Sequence, residues 1–589
     1  MKMATKQALA PRRVRRQTAR EERRSVGPGP AGAPGVVRPP SSPWILDRWR
    51  DLLLFVATPL VLIPIFAAAQ ARWSAQDIFL FVAAFGAMGH HLPGMIRAYG
   101  DRALFNRFKL RFIFAPLLLL IVCIWSAFYN VQAVQLVALG WGIWHGMMQT
   151  YGFARIYDAK ASSTAAARAR ADLALCFAWF IAGVLLSPLR LRSFLDLYYE
   201  SGGPLLPVAL VSGIRTALIG ALVLVTCGFA WRQWSDWRHG RGISLVKVTL
   251  LTTSIGFWWY CNVGVQNILV GIALFEVFHD VQYLAIVWIY NRSRVEKDKS
   301  ISGFMRFVFR RSGALIGVYV GLVLAYGSIG LASSALAVEW TRHILLGVVT
   351  ASALLHFYYD GFIWKVRETQ TRSMLGIEGA GTSGSLRRQF WPSWAGHSLR
   401  WAALVIPVAA LCTAQLVGRV VPPLERFGKT AEVLPGDAKA QLNYGKALHE
   451  AGRAEDAIPL YEKAAQLNPE FAEAQFFLGL AWNDLGDLDR AVMHYERAVS
   501  LDPKNARTET NLANVLVMKG MRAEARRHYE HALSVDSSLV LAHKSLADIL
   551  LDAGEYDAAV AHYSEALRLN PTVPGAKESL RFARALSGQ

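Results

Sequence analysis

Cysteine is scarce in this 589-residue chain: Cys123, Cys176, Cys227, Cys261 and Cys412 are all it has, each within or beside an apolar stretch. No CxxC pair occurs and none of the five lies in the hydrophilic C-terminal part, which excludes a disulfide framework and a cysteine-based zinc module. They read as small hydrophobes in helices. Acidic residues are also short, 43 against 63 Lys and Arg, for a net charge of +20. The basic excess sits in the N-terminal tail and in loops between apolar blocks, where it reports membrane topology; nothing else in the sequence points to nucleic acid. Residues 1–42 have almost no large apolar side chains. Rich in Arg, Pro, Gly and Ala, they read as a disordered basic cytoplasmic tail able to touch anionic lipid, without the short apolar core of a cleavable signal peptide.

Apolar residues are abundant: 53% of the chain is hydrophobic, in blocks of about 20 residues, the length that crosses a bilayer. Eleven candidate spans lie between 51 and 421, which predicts an all-α polytopic bundle over 43–421. Basic loops follow spans two, four, six, eight and ten, with Arg97/Arg102/Arg107, Arg155/Lys160/Arg168, Arg232/Arg238/Arg241, Arg292/Arg294/Lys297 and Lys365/Arg367/Arg372 among their charges. The positive-inside rule puts these loops and the N-terminus in the cytoplasm. An odd span count then puts everything after 421 in the periplasm, for a protein of a bacterial inner membrane.

The most informative apolar run is 266–291, QNILVGIALFEVFHDVQYLAIVWIYN. Glu276, His279, Asp280 and Tyr283 recur at i, i+3, i+4, i+7, so they share one helix face. Such a face inside hydrocarbon needs partners, a water-filled cavity or a metal. Other spans offer partners: His90 and His91 in span two, His145 in span four and His356 in span ten, with Asp360 four residues after His356 and Gln149 four after His145. All five histidines ride on helices running towards the cytoplasm. His90 and His91 point about 100° apart on a helix, so one of them can face the others; His91 is taken as the ligand and His90 as the alternate. His91, His145, His279 and His356 are therefore candidate metal ligands, and Glu276, Asp280 and Asp360 candidate ligands, orienting groups or acid–base residues. The competing readings are a proton or ion relay and plain interhelical hydrogen bonding.

Residues 438–573 change character. Gly452, Gly486, Gly520 and Gly554 recur every 34 residues, as do Tyr461/Tyr495/Tyr529/Tyr563, Ala457/Ala491/Ala525/Ala559 and Ala464/Ala498/Ala532/Ala566, with Pro469, Pro503 and Pro571 closing three of four units. This pattern resembles the tetratricopeptide repeat family, helix–turn–helix units stacked into an α-solenoid. The third unit has Ser537 for its closing Pro, and the usual early Trp is missing. Residues 422–437 read as a linker and 574–589 as a capping helix and tail. The resemblance implies a concave surface for a protein or peptide, with Asn443 and Asn511 at a first-helix position that can contact a bound peptide backbone; Phe477 and Ser545 stand there in the other two repeats. The six histidines of the repeats read as solvated surface.

In the placement of histidines on several membrane helices the chain is similar in arrangement to Brp/Blh-type carotenoid-cleaving oxygenases and, more distantly, to membrane desaturases. It lacks the HxxHH cluster of the desaturases, and no ligand assignment follows from either. Two functions remain open. One is a membrane-embedded, metal-dependent oxidoreductase acting on a lipid-like substrate, with iron the first choice of transition metal and zinc or copper the others, and a solenoid that recruits a protein. The other is a non-enzymatic membrane scaffold, transport or assembly component working through the solenoid.

Overall fold

The computed structural model describes residues 43–161, 166–241, 243–297, 301, 303–309, 313–335, 338–363, 393–418 and 420–588. The basic tail and the loop carrying Lys365, Arg367 and Arg372 lie outside the described residues. Among those described, all regular structure is helical, as the apolar blocks and the 34-residue period predict. The first part holds helices α1 (Thr58–Gln70), α2 (Ala75–Val82), α3 (His91–Gly100), α4 (Lys109–Phe128), α5 (Gln132–Lys160), α6 (Ala166–Leu185), α7 (Pro188–Glu200), α8 (Val208–Arg238), α9 (Leu245–Trp259), α10 (Ile268–Lys297), α11 (Gly313–Ala335), α12 (Glu339–Ile363) and α13 (Ser393–Leu416).

The count of apolar spans is smaller than eleven. Among the described residues, five helices are long and apolar enough to cross a membrane: Ala75–Gly100, Lys109–Phe128, Val208–Arg238, Ile268–Lys297 and Glu339–Gly361. Counting each bent pair as one span, Arg48–Val56 with Thr58–Gln70 (47°) and Ala167–Leu185 with Pro188–Glu200 (79°), raises the number to seven. Two of the remaining expectations fail for identifiable reasons. α5 carries Gln135, His145, Gln149, Arg155 and Asp158 along its length. α9 is 15 residues long and stops at the π-turn Tyr260–Gly264. Gly317–Gly330 of α11 and Val405–Leu416 of α13 are apolar but belong to helices whose remaining side chains lie largely outside the described residues.

Buried ions tie the bundle at one end. Lys247 of α9 lies 3.0 Å from Asp158 of α5 and 3.3 Å from Asp172 of α6, and Arg155 pairs with Asp172 and, at 2.8 Å, with Asp158. Lys247 and Asp172 are both almost wholly buried, so neither charge can fall back on water. Two carboxylates and two cations balance, and removing one partner strands a charge.

The second part starts with α14 (Pro423–Val433), so the expected linker is in fact a helix. Four helix pairs follow: α15 (Ala438–Glu450) with α16 (Ala454–Leu467), α17 (Ala472–Asp484) with α18 (Leu488–Leu501), α19 (Ala506–Met518) with α20 (Arg522–Val535), and α21 (Val540–Asp552) with α22 (Tyr556–Leu569). The cap is α23 (Ala576–Ser587). Each intra-pair turn needs a left-handed residue, and Gly452, Gly486, Gly520 and Gly554 supply φ of 76° to 80°, a region costly for any residue with a Cβ. The recurrent Tyr and Ala side chains are all buried between neighbouring helices. α14 rests on α7, where Arg426 pairs with Glu200 at 2.7 Å and Arg192 pairs with Asp437, the N-cap of α15.

Two measurements test these features. Lys247→Met should lower stability by about 3–5 kcal/mol by stranding a buried carboxylate, read as a large drop in the melting temperature of detergent-solubilised protein; an unchanged melt would mean the pair contributes nothing. A fragment spanning 422–589 should be soluble, strongly helical by circular dichroism and cooperative in urea, because each repeat buries its face on the next; an unfolded fragment would show that the repeats depend on the bundle.

Candidate functional site

Four histidines converge inside the bundle. His90, at the turn before α3, His145 of α5, His279 of α10 and His356 of α12 each present a ring nitrogen, and these nitrogens all lie within 4.8 Å of one another. Among the described residues this is the one group of His, Cys, Asp or Glu close enough to share an ion. His356 Nε2 is 3.1 Å from His90 Nε2 and 3.1 Å from His145 Nε2. Every one of the four rings is buried.

Of the adjacent pair, His90, the expected alternate, joins this group, while His91, the expected ligand, lines the same cavity outside the group. His91 turns away: its ring stacks on His356 with centroids 4.7 Å apart, and its Nδ1 bonds Ser352 Oγ at 2.9 Å. Adjacent helical residues point about 100° apart, so one of the two joins the group, and Asp280 Oδ1 at 2.7 Å and His356 Nε2 at 3.1 Å face His90.

Carboxylates surround the cluster at three points. Asp280 Oδ1 sits 2.7 Å and the Gly86 carbonyl 3.3 Å from His90 Nδ1; both are acceptors, so a neutral His90 carries its hydrogen on Nδ1 and presents a bare Nε2 to the other rings. Asp360 Oδ2 lies 3.7 Å from His356 Nε2 and 3.9 Å from His145 Nε2, while its Oδ1 accepts from the Tyr283 hydroxyl at 3.0 Å. Glu276 lines the same cavity as His90, His145 and His279. That cavity has a volume of about 200 Å³, and Phe275, Phe357, Met88 and Val349 form much of its apolar wall.

Small residues make room for this. A Cβ on Gly86 would stand 2.5 Å from Asp280 Oδ2, and one on Gly94 would stand 2.9 Å from the Tyr283 hydroxyl. Gln149, expected to orient His145, instead donates from Nε2 to the His279 carbonyl at 3.0 Å and to Gln282 Oε1 at 3.3 Å. Ser352 was missed by the sequence reading, although it stands four residues before His356 and so on the same face; its Oγ also lies 2.9 Å from the Tyr326 hydroxyl.

On the solenoid, Asn443 and Asn511 are part-exposed on α15 and α19, two repeats apart, and Asn511 hydrogen-bonds the Tyr495 hydroxyl. The repeat histidines, expected as solvated surface, divide: His531 is exposed, His449, His494, His528 and His562 are half-buried, and His543 is buried. His494 Nδ1 bonds Gln475 Oε1 at 2.9 Å, His528 and His531 Nδ1 both bond the Glu509 carboxylate at 2.6 and 2.8 Å, and His543 and His562 meet Nδ1 to Nδ1 at 2.9 Å.

A helical bundle with a buried histidine pocket is thus joined to a helix-pair solenoid. The solenoid is a set of tetratricopeptide repeats: the family model described as tetratricopeptide repeat matches residues 424–470, 445–506 and 510–574. A search of curated proteins finds no match to the chain. Solved structures resemble its repeat part. A structure of MamA is 24% identical over 27% of this chain and 91% of its own, with a TM-score of 0.24. YrrB, described as "a TPR protein with an unusual peptide-binding site", is 18% identical over 32% and 98%, with a TM-score of 0.25. The Arabidopsis OM64 TPR domain is 24% identical over 20% and 96%, with a TM-score of 0.19. Repeats of this family bind protein or peptide partners, which supports protein–protein interaction through the C-terminal domain.

Gly86→Ala should cost about 1–3 kcal/mol, because the new methyl collides with a carboxylate that cannot move without losing His90. The check is the melting temperature in detergent beside Gly140→Ala, where a Cβ meets nothing within 4 Å; equal melts for the two variants would contradict the packing described.

Proposed function

We propose that the protein is a membrane-embedded, metal-dependent oxidoreductase acting on a lipid-like substrate, and that its repeats recruit a protein partner to it. The observation that carries this reading is the convergence of four buried ring nitrogens within 4.8 Å. Two nitrogens each about 2.1 Å from one ion at the tetrahedral angle stand about 3.4 Å apart, close to the 3.1 Å separations of His90, His356 and His145. Proton counting supports the same reading. With His90 Nε2 bare, the Nε2–H of His356 can serve either His90 or His145 fully but not both, so a lone pair is left over, which a cation would answer.

In this reading His90, His145, His279 and His356 hold the ion, and Asp280 keeps His90 in the binding tautomer. Asp360, held by Tyr283, and Glu276 are placed to accept or return a proton at the cavity wall. Iron, or failing that copper, would supply one-electron chemistry, whereas zinc would supply a Lewis acid; four imidazoles suit all three. The apolar cavity wall favours a hydrocarbon over a polar metabolite. The five to seven apolar helices support insertion in an inner membrane, and the distribution of Arg and Lys supports cytoplasmic basic loops with the repeats in the periplasm. A second reading, a scaffold without catalysis, rests on the repeat family alone.

Metal analysis of protein purified without a histidine tag tests the proposal. About one equivalent of transition metal should copurify or be taken up by the apoprotein, and His279→Ala should lose it while the repeats keep their helicity. Protein that binds no iron, copper, zinc or manganese leaves the scaffold reading in its place. A reporter active only outside the cytoplasm, fused after Gln589, should be active; signal from a cytoplasmic reporter alone would reverse the topology.

A further inference from the structure

The tetratricopeptide pattern puts a tryptophan four residues before the Gly or Ala of the first helix. Here that position holds Gln441, Gln475, Glu509 and His543, spaced by 34 residues. Facing it on the second helix of the last three repeats stand His494, His528 and His562, again 34 apart. An apolar contact has been replaced three times by a polar one, and the three pairs differ in how they respond to a proton.

Gln475 Oε1 accepts from His494 Nδ1–H, and this bond survives protonation of the other ring nitrogen. Glu509 accepts from both His528 and His531, so each added positive charge strengthens the arrangement. The last repeat behaves oppositely. His543 Nε2 lies 3.1 Å from the Ser537 carbonyl, which only accepts, so Nε2 carries the hydrogen and Nδ1 of the neutral ring is bare. His562 Nδ1–H donates to that bare nitrogen at 2.9 Å. Protonating His543 would set N–H against N–H, and protonating both rings would set two cations in contact. Glu530 of α20 and Glu565 of α22 are the charged groups near the pair and oppose this effect. Burial and His543 nonetheless hold His562 below the usual imidazole range.

We propose that the His543–His562 pair makes the C-terminal end of the solenoid a pH-sensitive device: acid loosens α21, α22 and the cap α23, while the Glu509-centred third repeat stays closed. A histidine whose folded pKa is depressed favours the folded state while neutral. Its contribution is therefore present in full above the unfolded value of about 6.5 and is lost as pH falls from there through the depressed folded value. Loosening one terminal repeat shortens the concave surface without unfolding the stack, because each repeat leans only on its neighbours.

The test is amide hydrogen exchange of the full chain in detergent at pH 7.5 and 5.5, corrected for the intrinsic rate. Exchange across 540–569 should rise severalfold on acidification, the direction that a depressed folded pKa dictates. Exchange across 506–535 should stay level or fall, and that across 472–501 should change by a smaller factor. His543→Gln, which copies the Gln475–His494 pair, should remove most of the acid response at 540–569, and His562→Gln should do the same. An unchanged rate at 540–569 in the wild-type protein overturns the proposal, as does an acid response that both variants retain.

Discussion

Imidazoles and carboxylates buried among apolar helices must satisfy one another, and much of the bundle's architecture answers to that requirement. His90, His145, His279 and His356 come from four separate elements and are all buried; His356 meets His90 and His145 through Nε2, while its Nδ1 has no hydrogen-bond partner among the described residues. Asp280 fixes His90, Tyr283 fixes Asp360, and Ser352 holds His91 out of the cluster. The glycines at 86 and 94 follow from the same need, since a methyl at either place would occupy the space of an oxygen. The small cavity beside the rings is what remains when polar groups crowd inward and phenylalanines close the wall.

The solenoid is built on a different principle. Its stability is local and repetitive: the same Tyr and Ala pack between successive helices, and the same left-handed Gly turns each pair. What varies between repeats is therefore free to carry function, and the variable position facing the second-helix histidines is one such place. The two parts meet through α7 and α14, where Arg426–Glu200 and Arg192–Asp437 join the first repeat to a helix bent by 79° from its predecessor. α7 also reaches the π-turn ahead of α10, since Ser187 at its N-cap donates to the Asn262 carbonyl at 2.6 Å. The helix that carries His279 and the first repeat thus share a neighbour.

The 34-residue period made the repeats legible from residue identities alone, because one sterically demanding set of contacts recurs at every step and each Gly, Tyr and Ala has a single place in it. The apolar runs likewise identified a helical bundle, and the i, i+3, i+4 spacing within 266–291 put Glu276, His279 and Asp280 on one face, because an α-helix without a break keeps its phase. The 34-residue recurrence of His494, His528 and His562 was equally open to view, but their partners lie on another helix, so their burial was not.

Tertiary structure settled which groups meet and where an apolar run breaks. His90 and not His91 stands in the cluster because Asp280 and His356, on two other helices, face it, and no local spacing announces that. Gln149 serves the His279 backbone instead of His145, because helical spacing says which residues share a face but not which neighbour that face meets. Among the described residues the apolar spans number five to seven, in part because hydropathy cannot see that α9 stops at a π-turn or that two apolar runs bend by 47° and 79°. Local periodicity determines each helix and its faces; which faces meet depends on bends, π-turns and close glycine contacts, and these are properties of the packed chain.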